Sequence, residues 1–576
     1  MQDHDELIAG LAEAQVYTQN FLPIAAAYCR SLGLIELVNL MVPSQMEVSP
    51  GHVVQAMVLD VLSGRTPLYR VEYFLKKQDR ELLLGEDLDA HLFNDTNLAR
   101  SMDAIFASGA SHVVTQLGVR AAEVCSLDVR KLSYDTTSTS VWGEYRHCAS
   151  DDPPKGPRIT FGHSKDKRKD LKQFMTELLC VERGVPIFGQ VLDGNASDKT
   201  SNNQMLSRIS SLMASHGLGP GACVYVADSA MVTEANLKEL GAMKFITRLP
   251  GTYSVCNELI AEAVDAEQWI ELGKLSEHPD TKHRPSAEYK AYETTVELYG
   301  ITYRAVVVHS SAHDKRRQKK LSRAVEDSQK TLQKALKKQQ QTFFCEADAL
   351  KAAEMIKGLS TKLHQVHPTV TPVEVRRRGR PPKEGPVPME TRYTLTWEIA
   401  EQHEEIQRIQ ELAGCFVLIS SVPAAGEEGA LDAGELLKAY KGQHGIENNF
   451  SFLKDDLIVN DLFLKTPSRI EVLGMILIIA LMIWRLMEHQ MRWYVEQNQV
   501  QLTGWDNKPT SRPTAFMMTT VFDEILTASI KGIRIILRGI GPRQQEFLQA
   551  LGVTQAVYTD PGSLYALSPK AGASLA

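Results

Sequence analysis

Apolar residues recur at three- and four-residue intervals through Val53–Leu62, Arg70–Leu75 and Ser111–Val124, the spacing of one face of an α-helix. Pro50 and Gly51 stand ahead of the first stretch, where a helix start belongs. Residues 1–125 are therefore expected to form a helical N-terminal domain, either a packing module or one that docks DNA ends or a second subunit. At Leu127 the pattern changes. Val129–Tyr134 leads into Asp135-Thr-Thr-Ser-Thr-Ser-Val-Trp142, a β-branched and aromatic run that reads as a strand. Arg158–Phe161, Gln173–Val181 and Val185–Leu192 follow as further strands, the last two joined as a hairpin through Glu182-Arg-Gly184. A helix over Asn202–His216, a strand over Cys223–Ala227, a helix over Thr233–Leu240 and a strand over Lys244–Leu249 complete the series. Antiparallel strands followed by strand–helix alternation predict a mixed sheet in an α/β fold, 126–250 forming the first part of a core.

Between 251 and 414 the pattern breaks, as an inserted α+β domain would. A hairpin pairs Thr294–Leu298 with Ile301–His309 around Tyr299-Gly300, and a long basic helix is expected over Asp314–Gln341. Tyr393–Ile399 reads as another strand. Cys415–Ser421 restores a buried strand, Tyr440–Lys454 reads as one helix, and an apolar helix over 472–487 closes the second part of the core, 415–490. The remaining 491–576 are expected to be a linker and a helical tail.

The 576 residues suffice for several domains, and 43% apolar content excludes a disordered chain. Eight scattered cysteines without a CxxC pair signal neither a zinc site nor a disulfide framework. The acidic start, Met-Gln-Asp-His-Asp-Glu, lacks the basic region of a secretory signal, and the uncharged run Val472–Trp484 is too short for a bilayer span of roughly 20 residues. These features predict a cytoplasmic protein with no membrane partner. The formal net charge is −7, yet three segments are locally basic. Lys155–Lys172 carries seven Lys/Arg against two Asp, Asp314–Lys338 ten against three, and Arg376–Lys383 five against none. Such runs are solvated faces or nucleic-acid contacts.

Three acids merit attention: Asp135 within the first strand, Asp228 at the end of a later one, and Glu447 on the Tyr440–Lys454 helix. On a continuous helix at about 100° per residue, Gln443, Glu447 and Lys454 share one narrow stripe beside Tyr440. Acids gathered at a sheet edge repel unless cations lie between them, and oxygen-only ligands select hard ions such as Mg²⁺ or Mn²⁺. Two such ions clamp the attacking and leaving oxygens of an in-line phosphodiester displacement. The simpler alternatives are aspartates that cap turns and a glutamate on a solvated helix face.

Tyr440, Glu447 and Lys454, with Asp135 and Asp228, resemble the Tyr-x2-Arg-x3-Glu-x6-Lys signature and paired aspartates of bacterial insertion-sequence transposases of the DDE class. Tyr134-Asp-Thr-Thr-Ser138, Gly162-His-Ser-Lys-Asp166, Gly194-Asn-Ala-Ser-Asp198 and Tyr440-Lys-Gly-Gln443 are similar to the branch numbered sixteen-thirty-four of the family-four-like superfamily. The resemblance covers about residues 1–490. It implies a ribonuclease-H-like catalytic core with an insertion before the glutamate, flanked by helical regions. It further implies Asp135, Asp228 and Glu447 as catalytic metal ligands, Mg²⁺ or Mn²⁺ as cofactor, and Tyr440, Gln443 and Lys454 on DNA. The implied activity is strand cleavage at inverted-repeat ends and strand transfer into target DNA, by a homodimer in the synaptic complex, near the nucleoid. One departure stands out: Gln443 occupies the arginine position, losing the charge and the bidentate fork, so a weaker grip on phosphate is expected. Arg378 and Arg380, in Arg378-Gly-Arg-Pro381, resemble an AT-hook core, with a basic linker as the alternative. Trp142 is a candidate for stacking on an unpaired base, or a sheet-packing side chain. The same core used as a structure-directed nuclease, or retained only for sequence-specific DNA binding, are the rival functions.

Overall fold

A computed structural model of the chain describes residues 14–64, 66–145, 156–215, 222–275, 285–379, 387, 389–424, 426, 429–455, 464–530 and 532–565. Two compact units emerge, one from 1–247 with 438–576 and one from 248–437.

The first unit opens on a short strand, β1 (Gln15–Thr18), and a set of helices that includes α1 (Pro50–Leu62) and α2 (Ala110–Val124). Ser49 caps α1 by accepting from the His52 amide, and every residue of that helix is buried. β2 (Lys131–Val141), β3 (Lys172–Cys180) and β4 (Pro186–Leu192) are antiparallel neighbours. The chain then passes through α3 (Asp198–Ser215) to β5 (Val224–Ala227), and through α4 (Glu234–Leu240) to β6 (Lys244–Arg248). β5 lies parallel to β2, and β6 parallel to β5. The sheet order is thus β4-β3-β2-β5-β6, the mixed sheet that the sequence pattern predicts. One expected strand is corrected: Arg158–Phe161 contributes only an isolated bridge from Thr160 to Gln173. Four residues bracketed by prolines and glycines are too short to extend the pairing. α2 lies close on β4, where any side chain at Gly118 would strike the Ile187 carbonyl.

The second unit holds α5 (Ser254–Ala266), β7 (Ile270–Lys274), β8 (Glu288–Leu298) and β9 (Ile301–Ser310). β8 and β9 form the hairpin expected around Tyr299-Gly300, whose φ values of 54° and 78° fit a two-residue turn with both central residues left-handed. The basic helix, α6, runs over Ser311–Leu336, starting three residues earlier than the sequence suggests. It is exposed except where Leu332 and Leu336 enter a small core with Ile356, Val366 and Leu395. α7 (Glu346–Lys357) closes that core against a long antiparallel ribbon, β10 (His364–Arg376) and β11 (Met389–Glu401). After α8 (His403–Glu411) comes β12 (Cys415–Ser420), antiparallel to β9.

α9 (Ala433–Lys441) and α10 (His444–Leu453) replace the single helix expected over Tyr440–Lys454. Gly442 and Gly445 explain the break, since glycine costs about 1 kcal/mol in a helix interior. The ladder tightens there, with Gln443 donating to the Tyr440 carbonyl and Gly445 to that of Gly442. α11 (Pro467–Asn498) is the longest described helix and the central apolar post of the first unit. By length and composition it would cross a membrane, but 89% of its apolar window is buried within the protein.

The expected helical tail is corrected too. Beyond α11 the chain forms further strands, among them β13 (Leu526–Ile530) and β14 (Ile533–Ile536), and β13 pairs with β1. Arg534, 5% exposed, forks onto Asp79 at 2.7 and 2.9 Å, and Tyr28 donates to the Leu551 carbonyl. The C-terminal segment therefore completes the N-terminal helical body. Long-range pairing of a four-residue strand leaves little local trace in sequence.

Candidate active site

β2 alternates its side chains across the sheet, so Tyr134 and Asp135 face opposite ways. Tyr134 is buried, stacks on Tyr225 and donates to the carboxylate of buried Glu177 at 2.7 Å. That anchorage fixes the strand at the residue before Asp135. The parallel register pairs Lys131 with Val224, Leu132 with Tyr225 and Ser133 with Val226. Asp135 and Asp228 each lie two residues beyond the last of these pairs, close enough for the Asp228 charge to act on Asp135. Asp228 directly follows β5 and caps the next turn by accepting from the Ala230 amide at 3.0 Å. The turn-capping alternative is thus correct for Asp228 as geometry, and the same turn holds it next to Asp135.

Burial pushes the Asp135 carboxyl up to about 6, the neighbouring charges of Asp228 and Asp198 adding to the effect against Lys165 and the Thr136 amide. Asp228 is raised as well, by burial first and then by Asp198. Two carboxylates that resist ionisation together form a strong local demand for positive charge.

Two residues that sequence reasoning did not nominate join the pair, Lys165 supplying positive charge and Asp198 adding a further negative one. Lys165 places its ammonium 3.6 Å from Asp135 and 3.6 Å from Asp198, while hydrogen-bonding Thr136. Asp198, heading α3, accepts from the Thr136 hydroxyl at 2.5 Å. Their loops are locked at their first residues. The Gln173 side-chain amide donates through Nε2 to the Gly194 carbonyl at 2.7 Å, and a β-carbon on Gly162 would lie 2.0 Å from that same oxygen. Only glycine permits this approach, which explains why both Gly162-His-Ser-Lys-Asp166 and Gly194-Asn-Ala-Ser-Asp198 begin with it. The signal lay in those two stretches, each carrying a charged residue at a fixed distance from its glycine.

The helix residues fare differently. α10 abuts β2 because Gln443 donates to the Tyr134 carbonyl at 3.2 Å. The amide expected on a phosphate is therefore bound to the strand that carries Asp135. Buried Asn449 fastens the far side of α10, donating to the Gly184 carbonyl at 2.7 Å and accepting from Arg485 at 2.6 Å. Glu447 is exposed in the first turn of α10. Lys454 pairs with Asp166 at 2.7 Å. Tyr440, half-buried, belongs to α9, so the single stripe predicted for these four residues is not formed. Among the described residues, no three His, Cys, Asp or Glu side chains come together closely enough to hold an ion. Lys165 bridges Asp135 and Asp198, the Asp228 charge acts on Asp135, and Glu447 stands on the adjoining helix.

Trp142 is 60% exposed just beyond β2, with the Arg168 guanidinium 5.3 Å above its ring, so the sheet-packing alternative is corrected. Arg378 is exposed beyond the end of β10 in the second unit, and Arg380 lies outside the described residues.

Residues 14–119 match the model of a domain of unknown function, DUF4277. That match covers helices of the N-terminal body and stops before β2, so it includes none of the acidic residues. No curated protein matches the chain.

Proposed function

We propose that this chain is a DNA transposase that cleaves strands at the inverted-repeat ends of its element and joins them to target DNA, with a ribonuclease-H-like core. The observation that carries the reading is the placement of Asp135 and Asp228 just beyond the paired segment of two parallel strands, both pushed above the ordinary carboxylate range. The carboxyl ends of parallel strands are where open α/β sheets hold their chemistry. The order of three antiparallel and two parallel strands supports the core assignment.

The donor set is all oxygen and carries surplus negative charge, which fits Mg²⁺ or Mn²⁺. Asp135 and Asp228 would hold the metal, with Glu447 completing the set from α10. Bound there, a pair of divalent ions supplies activation of the attacking oxygen and stabilisation of the leaving one. The chain's own part is positional. Gln443 and Asn449 hold α10 against β2, and Tyr134, tied to Glu177, fixes the strand that presents Asp135. Lys454 and Tyr440 would meet the DNA backbone, Lys454 by exchanging Asp166 for phosphate. Exposed Trp142 and Arg378 would add contacts to DNA, and a homodimer would bring two ends together. A cytoplasmic site of action follows from this role.

Exposed Glu447 and the structural use of Gln443 favour a second reading, sequence-specific DNA binding without cleavage. Glu447→Gln separates the two. In an active transposase it abolishes strand cleavage and leaves end binding within about threefold of wild type. A comparable loss of binding would overturn its assignment as a metal ligand.

A further inference from the structure

The loop from Gly162 to Leu171 makes two opposite ion pairs with two successive residues. Lys165 reaches inward to Asp135 and Asp198, at 3.6 Å each, and Asp166 reaches across to Lys454 at 2.7 Å. The loop is held at its start by the glycine contact described above, and the Lys165 amide donates to Ser138 on β2 at 2.9 Å. Beyond Lys165, Arg168 donates its amide to Ser164 and sets its guanidinium over Trp142. The Lys165 backbone is thus fixed, while its side chain is 30% exposed. Its ammonium is a compact point charge on a flexible stem, unlike the fixed fork of arginine.

We propose that Lys165 is a positioning residue that serves as the resident counter-ion of the acidic cluster, holding Asp135 and Asp198 in place until a divalent cation displaces it. This rests on the reading of Asp135 and Asp228 as metal-holding residues. A monovalent ammonium and a divalent ion compete for the same carboxylates, so each weakens the other.

The test is Mn²⁺ binding to the full-length protein, followed by the loss of free Mn²⁺ signal in electron paramagnetic resonance, without DNA. Wild type, Lys165→Met, Lys165→Arg, Asp166→Asn and Asp135→Asn are compared, with circular dichroism to verify folding. The expected result is Mn²⁺ binding at least tenfold tighter in Lys165→Met than in wild type. Lys165→Arg and Asp166→Asn should both stay near wild type. Equal or weaker binding by Lys165→Met, with Asp135→Asn reduced, would overturn the counter-ion role and leave the metal reading intact. Unchanged, weak binding in all five folded proteins would overturn the metal reading and the counter-ion role with it. Should Lys165→Met fail to fold, Lys165→Gln decides: tighter binding supports the counter-ion role and unchanged binding overturns it.

Discussion

Replacing Asp135 by Asn tests the electrostatics of the site without DNA. The carboxyl is pushed from an ordinary value of 3.8 to about 6. At about 1.36 kcal/mol per pKa unit, that displacement corresponds to about 3 kcal/mol. The side chain is only 23% exposed, so solvent screens little of it. The fold favours the protonated form. Its stabilising contribution is therefore complete below about pH 4, declines as pH rises through the interval from 3.8 to about 6, and is absent above it. Asparagine mimics the neutral acid and keeps an oxygen for the Thr136 amide, which donates to Asp135 at 2.7 Å. With EDTA present, Asp135→Asn should unfold close to wild type at pH 4. At pH 8 it should be more stable by up to about 3 kcal/mol, or about 4 °C for a unit of this size. Thermal unfolding followed by circular dichroism at the two pH values reads this directly. An equal shift at both, or a less stable variant at pH 8, would refute the reasoning.

Mn²⁺ at millimolar concentration should raise the unfolding midpoint of wild type at pH 8 and leave that of Asp135→Asn nearly unmoved, since ligand binding to the native state alone stabilises it; scanning both proteins with and without the ion checks this. Asn449→Ala leaves the Gly184 carbonyl and the Arg485 guanidinium short of a partner, and should cost about 2–3 kcal/mol in thermal unfolding. At Gly194 a β-carbon would meet the Gln173 carbonyl at 2.0 Å. Gly194→Ala should therefore destabilise by about 1–3 kcal/mol in urea titration, and more than Ala at Gly539, where nothing lies within 4 Å. Lys454→Gln should weaken binding to all duplexes alike and lower the salt dependence by about one charge, measured by fluorescence anisotropy from 50 to 200 mM salt.

Where local chemistry decides, the sequence is a good guide. The mixed sheet, the Tyr299-Gly300 hairpin and the buried apolar helix all follow from periodicity and turn residues, and Thr233 caps α4 as its position suggests. Asp135 and Asp228 are legible because each sits at a defined point of a strand. Lys165 and Asp198 escaped notice because their partners are 30 and 63 residues away from Asp135 in sequence, with contact created only by the fold. The stripe on the Tyr440–Lys454 segment failed for a local reason, two glycines whose cost outweighed an even polar spacing. The pairing of β1 with β13 across more than 500 residues was invisible, since neither strand is long enough to announce itself.

The most direct measurement of the central claim is strand cleavage. A labelled duplex carrying the terminal repeat that flanks the coding region is incubated with Mg²⁺ or Mn²⁺ and wild type, Asp135→Ala, Asp228→Ala or Glu447→Ala. The account predicts cleavage at the repeat boundary by wild type alone, with all three variants still binding the duplex. Sequence-specific binding without cleavage by any of the four proteins would contradict it.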